Sequence, residues 1–124
     1  MAKLRFVLQT TCIFLALFSS GFAHHSFSNF DMEQTLTLNG VATRWEWTNP
    51  HSYLYVMVHD EKAGDQEWAV EFHDVGQLLR LGLKKDSFKA GDKINVLAHP
   101  SRDGSKLVFF SSITLPDGRT IKFR

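Results

Sequence analysis

Two adjacent histidines, His24 and His25, directly follow a stretch that ends in the small residues Gly21 and Ala23. Cleavage after Ala23 would make His24 the first residue, with a free α-amine beside its own imidazole. An α-amine of pKa about 7.7–8.0 and an imidazole of pKa about 6.5 both give up a proton cheaply at neutral pH. The pair can chelate one ion through the amine and the ring Nδ1. His25 adds a second imidazole, and His51, in an Asn-Pro-His turn, offers a third. Nitrogen-rich tetragonal coordination suits Cu(II), which also heads the divalent affinity order. The plainer reading is a frayed, solvated end, as chain termini usually are. Phe27 and Phe30 count against fraying, because burying two rings would hold this arm to the rest of the molecule.

A second group needs strands to assemble it. If the segments carrying Arg44 and Glu46, Tyr53 and Tyr55, and Glu71 and His73 lie side by side, those six side chains share one outward face. Tyrosines would offer stacking surface and the charged groups would orient a polar partner. The competing reading is a solvated sheet face with cross-strand pairs worth about 0.2–1 kcal/mol each. Glu46 and Glu71 would also be a conceivable carboxylate pair for hydrolysis, but the neighbouring arginine and open solvent favour ordinary ion pairs. Trp45, Trp47 and Trp68 sit on the apolar faces of their segments, which points to core packing before a sugar platform. His59 and His99 fall near strand ends and read as turn or surface histidines.

The chain starts with Lys3 and Arg5, then runs apolar from Phe6 to Phe18 before Ser19-Ser20-Gly21-Phe22-Ala23. Positive start, short apolar run and small-residue exit form a secretory signal pattern, and the run is short of the roughly 20 residues of a membrane span. The expected product is a single domain, residues 24–124, with an arm over 24–34, in the periplasm or secreted and without a stable membrane anchor. Loss of residues 1–23 leaves 101 residues and removes the only cysteine, Cys12. It also removes Lys3 and Arg5, so fourteen positive residues become twelve against thirteen acidic ones, a net charge of −1. That balance lacks the basic face nucleic acid requires. No nucleophile elbow, phosphate loop or His-Glu-x-x-His helix is present, so the chain reads as a binder of a small molecule, a metal ion or an exported protein rather than as an enzyme.

Period-two alternation predicts strands over about Thr35–Thr48, Tyr53–His59, Glu67–His73, Lys93–His99 and Lys106–Leu115, and a short last one over Arg119–Phe123. In the first, Val41, Thr43, Trp45 and Trp47 are expected on one face and Ala42, Arg44 and Glu46 on the other, with Gly40 allowing a bend. Asp74 is placed to cap a helix from Val75 to Leu81, and Gly82 to stop it. Three strands, a helix and two strands is the element order of an OB-fold-like five-stranded Greek-key barrel, an all-β class with one short helix. Another small barrel or a two-sheet sandwich shares that order.

His24-His25-Ser26-Phe27, Trp45-Glu46-Trp47-Thr48-Asn49-Pro50-His51, Trp68-Ala69-Val70-Glu71, Leu78-Leu79-Arg80, Lys89-Ala90-Gly91-Asp92 and Thr114-Leu115-Pro116-Asp117-Gly118-Arg119 stand in this order. Together they make the chain resemble a family of small exported bacterial proteins of unknown function. The resemblance spans nearly all of residues 24–124 and departs from the family at Phe72-His73-Asp74-Val75-Gly76, where Gly and Pro are more usual. It implies a fold and an exported location, and carries no catalytic residues. Chemically, a terminal histidine with further imidazoles is similar to the histidine brace of copper-dependent polysaccharide monooxygenases and of certain periplasmic copper carriers.

Overall fold

The structure, a computed structural model, describes residues 25–123, with side chains from Phe27 onward. Its elements in chain order are one helical turn α1 (His25–Ser28), β1 (Leu36–Glu46), β2 (Tyr53–Asp60), β3 (Gly64–Glu71), α2 (Val75–Arg80), β4 (Lys93–Pro100), β5 (Leu107–Thr114) and β6 (Thr120–Lys122).

β1 serves two neighbours. Leu36 to Val41 pair antiparallel with β4, and Val41 to Glu46 with β2. The strand changes partner beside Gly40, where a Cβ would strike the Met57 carbonyl and sit 2.8 Å from Val56 Cγ1. Only glycine lets the two backbones approach so closely there.

β2 and β3 form a hairpin in which the Asp60 carboxylate accepts the N–H groups of Lys62 and Ala63 at 2.8 Å each. β3 then pairs in parallel with β5, through Ala69↔Leu107, Val70↔Val108 and Glu71↔Phe109. β5 returns antiparallel to β4, so the ring runs β1-β2-β3-β5-β4 and back to β1. This is the closed five-stranded barrel expected, with its helix between β3 and β4. As anticipated, the Asp74 side chain caps α2 by accepting the Gln77 N–H at 3.0 Å. Gly82 follows it at φ +87, the left-handed stop a helix end favours.

The faces of β1 need one correction. Ala42 is 2% exposed and Val41 41% exposed, the reverse of the alternation expected for them. A register shift between Ala42 and Arg44 inserts Thr43 as an extra residue, and one extra residue reverses which face the following side chains take. Beyond it Trp45 and Trp47 pack on the core and Arg44 and Glu46 face outward, as expected. The barrel interior holds Leu38, Ala42, Leu54, Val56, Val70, Phe72, Val96, Val108, Phe110 and Ile113, and Leu78, Leu83 and Phe88 join the same core.

A second apolar cluster lies outside the barrel. Phe109 falls between the core residues Val108 and Phe110 and so points the other way, yet it has no exposed surface. The arm covers it: Phe27 and Phe30 lie 5.2 and 5.4 Å from its ring, and Phe123 lies 6.0 Å away. Backbone bonds from Asp31 N to Pro100 O and from Arg102 N to Asn29 O, each 2.9 Å, tie the arm to the β4–β5 turn.

Candidate functional site

The turn from Thr48 to Ser52 is held by its own side chains. Ser52 Oγ donates to Thr48 O at 3.0 Å and accepts the Thr48 N–H at 3.1 Å, while Thr48 Oγ1 donates to His51 O at 2.7 Å. Ser52 is fully buried, and its backbone continues the sheet: Ser52 N donates to His73 O, and Phe72 N to Ser52 O. Asn49 Oδ1 accepts the Val75 N–H at 2.9 Å and fastens the turn to the start of α2.

This scaffold fixes His51. Its Nδ1 lies 3.1 Å from Phe72 O and 3.1 Å from Glu71 Oε1. The Phe72 carbonyl can only accept, so in that hydrogen bond Nδ1 carries the proton, and in the neutral ring Nε2 holds the lone pair. Glu71 is only 8% exposed and stands directly across the β2–β3 ladder from Tyr53. Burial pushes the Glu71 carboxyl up, against the opposing pull of His51 and of the Tyr53 hydroxyl. Burial also raises the Tyr53 phenol, and the Glu71 charge adds to this.

The rest of the outer strip is satisfied within itself. Arg44 Nε lies 3.3 Å from Glu46 Oε1, the Tyr55 hydroxyl donates to Glu46 Oε2 at 3.4 Å, and the Arg44 guanidinium sits 3.9 Å above the Tyr55 ring. The Tyr55 face is thus already covered by a cation. Tyr53 joins this group to Glu71, its ring 6.5 Å from that of Tyr55. Arg44, Glu46, Tyr53, Tyr55 and Glu71 therefore form one continuous strip, as the alternation implied.

His73 stands apart from them, under the arm. Its ring centroid lies 4.3 Å from that of Phe123, 5.0 Å from Phe109 and 5.9 Å from Phe27. Its Nε2 is buried and has no hydrogen-bond partner among the described residues. Burial lowers its pKa; Asp74 acts against that and His51 adds to it, which places the two histidines within electrostatic reach. Alternation identified Glu71 and His73 as outward, but not the cover over them. The available signal was the unbroken apolar run Val108-Phe109-Phe110, whose middle ring needs a lid.

Of the terminal ligands, His24 lies outside the described residues, and His25 begins α1 with its side chain outside them. Among the described residues no three His, Cys, Asp or Glu side chains are grouped to hold a metal ion. The remaining candidates are occupied elsewhere. His59 Nδ1 pairs with Asp65 at 2.8 Å, and His99 Nδ1 donates to Gln34 O at 2.8 Å. Trp45 packs on Phe72 and Phe88, and its Nε1 donates to Lys84 O at 3.3 Å.

A family of unknown function, DUF6152, matches residues 13–109. The chain belongs to it. The matched span takes in the arm, the outer strip, the His51 turn and the barrel up to its closing pair Glu71↔Phe109. No curated protein and no solved structure matches the chain. Among the described residues no helix is long and apolar enough to cross a membrane.

Proposed function

We propose that this member of the family is an exported metal-binding module that loses residues 1–23 and holds Cu(II) at its new N-terminus. The ligands are the α-amine and imidazole of His24 with Nε2 of His51, and His25 is available as a further imidazole. One observation carries this reading: Phe27 packs on His73, whose carbonyl bonds Ser52 beside His51. The root of the arm and the His51 ring thus share one flank of the barrel. Three residues of chain separate His24 from Phe27, a reach of about 10 Å at full extension. Nitrogen donors favour Cu(II) over the other common divalent ions, and each must be deprotonated to bind.

The other outward groups suit ligand capture less well. Arg44, Glu46 and Tyr55 use their charges and ring faces on one another, so a partner docking there must first break those contacts.

The test is a Cu(II) titration with electron paramagnetic resonance on protein processed by a bacterial host, intact mass having shown His24 as residue one. One equivalent of Cu(II) should bind with a nitrogen-rich tetragonal spectrum. Adding one residue before His24 should abolish that spectrum, and His51→Ala should weaken binding at least tenfold. Absence of binding, or binding indifferent to the added residue, overturns the reading.

A further inference from the structure

We propose that the free edge of β6 is a docking site for an extended acidic peptide segment of another protein, which adds to the sheet as a further strand. The site is independent of any metal at the N-terminus. β6 stands outside the barrel ring and pairs with β5 alone. Arg119 O accepts the Leu115 N–H and Phe123 N donates to Ser111 O, both at 2.8 Å. With the Ile113↔Ile121 pair midway between them, these bonds turn the backbone polar groups of 119, 121 and 123 towards β5. Successive residues of an antiparallel strand direct their N–H and C=O groups to opposite sides. Those of Thr120 and Lys122 therefore point away from β5, and among the described residues no strand lies there to meet them. Such an edge is a template for an incoming strand.

A groove of about 440 Å³ accompanies this edge, shared by β6 and α2. It is lined by all of residues 120–123. Side chains alternate between the two faces of a strand, so a groove that touches four consecutive residues meets β6 at its edge rather than on one face. Leu81, Ile121 and Phe123 give it apolar lining, and its only charged lining residues are Arg80 and Lys122. Neither cation is in an ion pair among the described residues; Arg80 acts on the Asp74 carboxylate only from beyond ion-pair distance. A lysine on a short edge strand also guards against indiscriminate pairing. That guard needs neither a second cation from α2 nor an apolar groove beside it. A second copy of β6 would bring its own Arg80 and Lys122 to the same groove, like charge against like. An extended segment with carboxylates on one face meets both cations and offers its backbone to Thr120 and Lys122.

The probe is a blocked synthetic peptide of alternating valine and glutamate, compared with one of alternating valine and lysine. Amide hydrogen exchange of the unbound protein should show Ile121 and Phe123 protected and Thr120 and Lys122 open. The acidic peptide should bind saturably and slow exchange at Thr120 and Lys122, and the basic one should not. Arg80→Glu with Lys122→Glu, both at exposed positions, should weaken the acidic peptide at least about tenfold and admit the basic one. That gain shows that the doubly substituted protein is still folded. The proposal is overturned if the acidic peptide does not bind, if it binds without protecting Thr120 and Lys122, or if both peptides bind alike. Protection of those two amides in the unbound protein also overturns it: protection that grows with protein concentration makes a second copy the occupant, and protection that does not makes the edge already covered.

Discussion

His73 shows how one side chain can make stability depend on pH. Enclosed by Phe27, Phe109 and Phe123 with an unpartnered Nε2, it has a folded-state pKa below the ordinary value. The unfolded chain therefore binds the extra proton first, and the stability linked to this group is complete above about pH 6.5 and declines as the pH falls through and below that value. His73→Phe removes the titrating group and keeps a ring among the other three. Denaturant unfolding at pH 7.5 and 5.0 should show a larger loss for wild type than for the variant; equal losses would contradict this account. Asp60, Asp103 and Asp117, whose carboxyls are held down by backbone or side-chain hydrogen bonds, titrate in both proteins and cancel in the comparison. At this scale the sequence was partly legible. Alternation alone turned Arg44, Glu46, Tyr53, Tyr55 and Glu71 outward. That His73 is covered depends on rings from residues 27 and 123, which no local pattern connects to it, and Glu71 is buried although alternation turns it outward.

Among the elements, β1 carries the most demanding geometry, because it must leave β4 and join β2 within a single strand. Gly40→Ala places a methyl group against the Met57 carbonyl, a backbone atom that cannot turn aside. The substitution should cost about 1–3 kcal/mol or more, read as a lower thermal midpoint. Val41→Ala next to it, on the exposed face, should change stability by no more than about 0.5 kcal/mol; a larger loss would mean Val41 faces the core. The elements themselves were readable because their signals are local: β-branched and aromatic alternation, Asp74 before an apolar helix, Gly82 after it. The bulge at Thr43 was not. It arises where Tyr55 is matched against Arg44, and register between strands is a property of the pair. Closure of the barrel through parallel β3–β5 pairing is non-local for the same reason.

At the scale of the whole molecule, the arm is the part that joins fold to proposed function. Phe30 is 1% exposed and bridges to Ser101, so Phe30→Ala should cost about 3 kcal/mol, within the usual range for a buried phenylalanine. Phe27 is less deeply covered and lies nearer the terminus. Phe27→Ala should cost less stability yet weaken Cu(II) binding at least tenfold, since it frees the root of the arm from His73. Unchanged affinity in that variant would separate the terminus from the barrel flank. The same contacts impose an order in time. A chain made from its N-terminus releases the arm first, but the ring it must cover is at 109, the one beside it is at 123, and the seam that carries residue 109 closes only when Leu107 to Phe109 reach Ala69 to Glu71. The earliest residues of the domain must wait for the latest before they can dock. During that interval the arm stays free of the barrel, so the cleavage proposed after Ala23 would act on an undocked arm.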